Sequence, residues 1–341
     1  MNDRYLPALP SCWSALTWQQ LCRVWEAKLR YGGNPDAARA AALLSLCGLS
    51  DCVAGGTDAS TGEAVYVLRG GDGLSWKVTP RELSGLAVQA LPWFDYPYGD
   101  PGEEVVKDER GKVVKEAREP VRGYVNPNWR DAMQLPEEEL SVAVPVNGGG
   151  KEDVVFVLPQ LACNNLTWEQ YRSLQGLVPQ LWQEGIGDDE RLRLQAQFLA
   201  HCLVPEQPAV ASSDRFRPRH IFKYDAARAE QSVAFWQQYL SESPVLYHIC
   251  FQVYQTAVQY YATAYPLLFN GDGGKADPLR DALTGEVGTI NGVMKYAGYA
   301  SQQEVYDSNI PFVLDILNTM TKEAKEIEKM NSRIKKRSRY A

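Results

Sequence analysis

Residues 158–170 read LPQLACNNLTWEQ, and residues 6–20 read LPALPSCWSALTWQQ. Both stretches contain, in the same order, an LPxL tetrapeptide, a cysteine and the pentapeptide LTWxQ. Chance agreement at so many positions is improbable, and the agreement indicates an old internal duplication. The residues after each copy decide the predicted fold.

Each copy opens a predicted helical hairpin. Thr17 and Thr167 are good N-cap residues, because a hydroxyl can accept a hydrogen bond from a free amide of the first turn. Apolar residues then recur at helical spacing, at Trp18, Leu21, Cys22, Trp25 and Leu29 in the first copy and at Trp168, Tyr171, Leu174, Val178 and Leu181 in the second. A glycine-bearing turn and a second helix come next in both copies. The inward-facing residues predicted for these second helices are Leu43, Leu46, Cys47, Leu192, Leu199 and Cys202.

A different kind of sequence separates the copies. Residues 63–68 and 74–78 flank a glycine-rich turn and predict a β-hairpin. Residues 105–106 and 113–114 predict either a second, highly charged hairpin or a mobile loop, and residues 154–157 predict a further strand. Thr79 and Pro80 predict the start of a short helix. The acidic run at 137–139 is typical of a solvated helix start.

We therefore predict a mainly α chain of duplicated helical hairpins with a small β-rich insertion, α+β overall. The predicted segments are a first hairpin (1–50), the β-rich insertion (52–157), a second hairpin (158–205), a helical pair (220–270) and a helical C-terminal extension (277–341).

The last predicted helix, from residue 310 towards residue 333, carries a heptad pattern. A seven-residue spacing places one row of apolar side chains on one face, and an offset row accompanies it. The candidate partner-binding residues of this seam are Val313, Ile316, Leu317, Met320, Ile327, Met330 and Ile334. The alternative is that the seam packs against the protein's own core.

A basic tail lies at the end of the seam and contains no acidic residue. Its cations are Arg333, Lys335, Lys336, Arg337 and Arg339. The tail suits contact with nucleic acid or an acidic partner, or it is a solvated helix end favoured by the helix dipole.

Composition narrows the function classes. The 341 residues are 45% hydrophobic and 23% charged, which excludes wholesale disorder. The net charge of −7 argues against a protein whose main task is coating nucleic acid. No phosphate-binding, hydrolase, metalloprotease or kinase motif is present, and each of His201, His220 and His248 is interpreted as structural. We therefore predict no enzyme activity, no cofactor and no metal.

The cysteines and the N-terminus favour a cytoplasmic protein. Seven scattered cysteines, mostly in apolar stretches, are typical of buried reduced thiols. The N-terminal residues lack the pattern of a signal peptide. Residues 243–271 carry no charge, but their glutamines and tyrosines favour a buried or interfacial helix over a membrane span.

Residues 277–336 read DPLRDALTGEVGTINGVMKYAGYASQQEVYDSNIPFVLDILNTMTKEAKEIEKMNSRIKK. This ending resembles proteins of prophage tail modules and is similar in style to the tail-assembly chaperones of long-tailed phages. The resemblance implies a cytoplasmic factor without enzymatic activity that keeps the helical tape-measure protein soluble and recruits tail-tube subunits.

Three functions are therefore considered. The first is a phage-type assembly or scaffolding factor that binds other proteins through apolar helix faces. The same faces would allow it to form a homo-oligomer. The second is a structural virion component of the neck or baseplate. The third is a nucleic-acid-associated or membrane-associated factor, which the net charge and the polar residues of 243–271 disfavour.

Overall fold

The computed structural model describes residues 8–70, 75–94, 103–107, 113–117, 134–146, 150–205, 224–269 and 286–338. The chain divides into two compact units, residues 1–137 and 138–341. The predicted segment 52–157 is thus shared between the two units. Mainly helical structure with small antiparallel sheets confirms the predicted fold class.

The first unit combines a helical hairpin with an antiparallel sheet of order β1-β2-β3. Its elements are α1 (Trp18–Arg30), α2 (Pro35–Leu46), β1 (Leu49–Thr57), β2 (Ala64–Gly70), β3 (Ser75–Val78), α3 (Pro80–Ala90), β4 (Glu103–Lys107) and β5 (Val113–Ala117). The predicted hairpins β2–β3 and β4–β5 form, and β1 adds a strand that the sequence pattern does not predict.

Capping fixes the start of α1 as the sequence predicts. The Thr17 hydroxyl accepts from the Gln20 amide, and the Gln20 side chain accepts in return from the Thr17 amide at 2.9 Å. This reciprocal pair satisfies two amides that the first turn leaves without helical partners. The buried face of α1 is formed by Leu21, Val24 and Ala27, which lies to one side of the predicted tryptophan row.

Two tryptophans organise the core of the first unit. The Trp13 indole N–H donates to the Trp93 carbonyl at 2.9 Å, and the Trp93 indole N–H donates to the Pro10 carbonyl at 2.8 Å. Their rings meet edge to face, 5.4 Å apart. Because each buried N–H has a partner, both large side chains are buried without an unsatisfied donor.

The second unit combines a set of packed helices with a small antiparallel sheet of order β6-β7-β8. Its elements are β6 (Glu139–Val146), β7 (Gly150–Val157), α4 (Trp168–Leu181), α5 (Asp188–Cys202), β8 (Val204–Pro205), α6 (Ala226–Glu242), α7 (Val245–Ala264), α8 (Pro266–Phe269), α9 (Glu286–Ala297), α10 (Gln302–Tyr306) and α11 (Ile310–Ser338).

The prediction of a helix start at residues 137–139 is wrong. Glu139 begins β6 and pairs with Val157 of β7. Carboxylates before an alternating apolar stretch suit the solvated end of a strand as well as the first turn of a helix. The antiparallel pairing with β7, the next strand along the chain, decides between the two.

The uncharged helix α7 forms the centre of the second unit. Tyr247, Tyr254 and Tyr261, which share one face, are buried, as is most of the helix. The tyrosine row is therefore core, in agreement with the buried helix expected for this uncharged stretch. Among the described residues, no helix combines the length and apolar character that crossing a bilayer requires.

The second copy of the repeat makes a tighter turn than the first. Four residues separate Leu161 from Leu166, whereas six separate Leu9 from Leu16. Ala162 and Cys163 both adopt a left-handed backbone, each with φ of 55°. The shorter connection therefore turns through a conformation that L-residues normally avoid.

Candidate functional site

The start of α11 is attached to the second repeat. The Trp168 amide donates to the Ser308 carbonyl at 2.7 Å, and the Ile310 amide donates to the Leu166 carbonyl at 3.2 Å. These main-chain bonds join the LTW motif to the residues that open α11. The repeat thus anchors the helix that carries the predicted partner-binding residues.

Residues 310–321, which we name the docked half of α11, pack against the second unit. Val313 is fully buried, and Ile316 and Leu317 are each 8% exposed. Met320 is half-buried beside α9, where a Cβ on Gly292 would lie 2.8 Å from the Met320 Cε. A glycine at this position lets the two helices approach closely.

Two tyrosines bond the acidic side chains of α11. The Tyr265 hydroxyl donates to Asp315 Oδ1 at 2.8 Å, and the Tyr296 hydroxyl donates to Glu323 Oε1 at 3.1 Å. Burial and the Asp315 carboxylate raise the pKa of Tyr265, and the hydrogen bond to Glu323 raises the pKa of Tyr296. Glu323 interrupts the apolar seam in the sequence, and the structure gives it this separate role.

Residues 322–334, which we name the exposed half, continue the same helix into solvent. Ile327 and Met330 are each 54% exposed, and Ile334 is 63% exposed. Their spacing of three and four residues places them on one side of the helix. We name these three side chains the apolar stripe.

The structure therefore divides the predicted seam. Val313, Ile316 and Leu317 belong to the protein's own core, whereas the apolar stripe remains accessible. Packing against the protein's own core therefore accounts for the docked half, whereas partner binding by the apolar stripe stays a prediction.

The basic tail continues the helix beyond the stripe. Arg333 is exposed, and Lys335, Lys336 and Arg337 occupy the following helical positions. Arg339 lies outside the described residues. The helix C-terminus carries partial negative charge, which favours cations there.

A buried polar chain links three helices elsewhere in the second unit. The Tyr224 hydroxyl oxygen lies 2.5 Å from His201 Nδ1 and 3.4 Å from Ser173 Oγ, and His201 Nε2 lies 3.1 Å from Glu230 Oε1. Burial lowers the pKa of His201, and the Glu230 carboxylate opposes that effect. Burial also raises the pKa of Tyr224 to about 12.

These contacts join α4, α5 and α6, and the group of side chains reaches the surface at Glu230, whose side chain is 52% exposed. Tyr224 and His201 are 3% and 6% exposed, and their polar atoms bond each other. A cavity of about 340 Å³ lies beside them, with mostly apolar walls that include Val154, Phe156 and Phe235.

Three cysteines of the second unit lie in its core. Cys163, Cys202 and Cys250 are buried, and a sulfur hydrogen bond with Cys202 and burial both raise the pKa of Cys250. Buried thiols with raised pKa values are poor nucleophiles. Within the described ranges, no group of histidine, cysteine or acidic residues is arranged to hold a metal ion.

Comparison with known proteins gives no match: no family model, no curated protein and no solved structure is similar to this chain.

Proposed function

We propose that the chain is an assembly factor of phage type that binds other proteins through apolar helix surfaces and uses neither cofactor nor metal. The observation that carries the proposal is the apolar stripe, formed by Ile327, Met330 and Ile334 on the outer half of a long helix. The docked half fixes that helix to the second unit, so the stripe is presented on a rigid support.

The spacing of the stripe suits another helix as the partner. Residues three and four apart form a narrow seam that packs into the groove of a facing helix. Full burial of a side chain of this size contributes about 1.5–3 kcal/mol. We therefore propose a long helical protein as the occupant.

The resemblance of residues 277–336 to tail-assembly chaperones supports a choice of partner class. The resemblance implies that the client is the long helical tape-measure protein, which such a factor keeps soluble. We propose a tape-measure or tail-tube protein as the client. The basic tail, which adjoins the stripe, would suit an acidic stretch in such a client.

Co-expression with the tape-measure and tail-tube proteins of a prophage from the same cell tests the proposal. We expect the affinity-tagged chain to retain one of them in soluble complex, and the Ile327→Lys, Ile334→Lys double variant to lose it. Glu328→Lys, which changes charge on the same helix but off the apolar stripe, is the control that retains binding. Equal retention by the stripe variant, or a fixed copy number of the chain in purified particles, contradicts the proposal.

A further inference from the structure

Charges flank the apolar stripe in a defined register. Glu326 and Arg333 immediately precede Ile327 and Ile334, so they lie seven residues apart on one flank of the stripe. All four are exposed. The opposite flank carries Ala324 and Asn331, which have no charge. In a two-helix seam, such flanking residues meet the flanking residues of the facing helix.

We propose that the exposed half of α11 pairs with the same segment of a second copy of this chain, in antiparallel orientation. The pairing rests on the proposed function in one respect, that the stripe is a protein-binding surface. A second copy of this chain would then occupy the apolar stripe when no client is present.

The antiparallel register pairs two of the three stripe residues and both flanking charges, while Ile334 lies opposite the partner's Glu323 at the end of the overlap. Setting Ile327 opposite the partner's Met330 also sets Met330 opposite the partner's Ile327, because the arrangement is twofold symmetric. In the same register Glu326 faces the partner's Arg333, and Arg333 faces the partner's Glu326. One register therefore supplies two apolar layers and two ion pairs.

A parallel arrangement in register would set each stripe residue opposite its own copy, but it would form no ion pair. Glu326 would then face the partner's Asn331. It would also set Glu323 opposite the partner's Glu323, and like charges repel. Antiparallel pairing keeps these two carboxylates apart.

The overlap between the two helices is short, so we expect weak association. About two heptads are shared, whereas three to four heptads are typical of a stable coiled coil. We therefore expect a reversible dimer whose population rises with protein concentration. A weak self-contact of this kind covers the stripe yet yields it to a client with a longer seam.

Charge reversal on the full-length chain tests the pairing by sedimentation velocity over a concentration series. We expect Glu326→Arg alone and Arg333→Glu alone each to lower the association constant about threefold to tenfold, because each replaces two ion pairs with like-charge contacts. The double variant Glu326→Arg, Arg333→Glu should restore it. The matched control Glu328→Arg, Lys329→Glu lies off the seam and should leave association unchanged.

Three outcomes overturn the proposal: a monomeric wild-type chain at every concentration, single variants that associate like the wild type, and a double variant that does not regain association. Far-UV circular dichroism confirms that each variant keeps its helix content. A chain that binds its client but stays monomeric refutes the pairing alone. A chain that dimerises but binds no client refutes the proposed function alone.

Discussion

The Tyr261 hydroxyl donates to the carbonyl oxygen of Ala162 at 2.5 Å, and Ala162 has a left-handed backbone with φ of 55° and ψ of 28°. The central helix α7 thus holds the unfavourable turn of the second repeat. Tyr261 is 1% exposed and Ala162 is 8% exposed, so the bond is made out of contact with water.

Removing this hydroxyl is expected to destabilise the second unit. Tyr261→Phe keeps the ring in the core but leaves the buried Ala162 carbonyl without that donor, at a cost of about 1–3 kcal/mol. Urea unfolding monitored by fluorescence measures the change. Tyr260→Phe on the same helix is the control, because Tyr260 is partly exposed. Equal effects of the two substitutions would assign no special role to the Tyr261 bond.

Relieving the backbone strain of this turn should stabilise the second unit. Ala162→Gly removes a left-handed Cβ conflict of roughly 1–2 kcal/mol and adds about 0.5–1 kcal/mol of backbone entropy cost. We expect a net stabilisation of up to about 1.5 kcal/mol in the same urea assay. Ala196→Gly in the interior of α5 serves as a contrast, since it should destabilise. A destabilising Ala162→Gly would contradict the assignment of strain to this turn.

Local chemistry explains which parts of the fold are predictable from the sequence. The N-caps Thr17, Thr79 and Thr167 lie where they are predicted, because a capping box involves residues only three apart. Strands β1 and β6 escape prediction although each pairs with the next strand along the chain, because Gly55 and Gly56 interrupt β1 and Pro145 interrupts β6, residue types that are unfavourable in strands.

The candidate site is also predictable only in part from the sequence. The heptad spacing identifies the apolar stripe from sequence alone. The boundary between docked and exposed halves depends on contacts such as Tyr296 with Glu323, which join two helices and follow no local pattern. The Tyr224–His201 contact is similarly non-local.

The duplicated motif offers a matched pair of substitutions. Gln170 caps its helix as Gln20 does, but its side-chain amide also donates to the His201 carbonyl at 2.9 Å. Gln20→Ala should cost about 0.5–1 kcal/mol as a lost cap, whereas Gln170→Ala should cost about 1–3 kcal/mol more because a buried carbonyl loses its donor. Thermal or urea unfolding compares the two variants. A Gln170→Ala cost no larger than that of Gln20→Ala would show that the additional bond is unimportant.

Mild acid should destabilise the second unit through its buried histidines. Burial lowers the pKa of His248 from 6.5 to about 4, and burial also lowers the pKa of His201. The unfolded chain therefore binds more protons between pH 6.5 and 4, so the free energy of unfolding falls as the pH falls through that window. The slope from His248 reaches at most about 1.4 kcal/mol per pH unit.

The His248→Gln variant isolates this contribution. We expect the free energy of unfolding of this variant to fall less steeply than that of the wild type between pH 6.5 and 4. A difference between the two proteins at about pH 8 lies above that window, so it reflects the substitution itself and not the titration of His248. Urea unfolding at several pH values provides the measurement. Parallel pH profiles for the two proteins would exclude His248 as a source of the acid sensitivity.

The first unit should respond to alkaline pH through Lys28. Its ammonium nitrogen lies 4.8 Å from the Phe94 ring centroid and 4.9 Å from that of Trp13. Burial, with a further contribution from Arg39, lowers the pKa of Lys28 from 10.5 to about 7, although aromatic faces favour the cation. The unfolded chain then binds more protons between pH 7 and 10.5, so the free energy of unfolding should rise with pH across that window.

Lys28→Met should flatten the rise, whereas Lys151→Met, at an exposed position of β7, should preserve it. A Lys28→Met profile that still rises as steeply as the wild type would show that Lys28 titrates in the folded protein as it does in the unfolded chain.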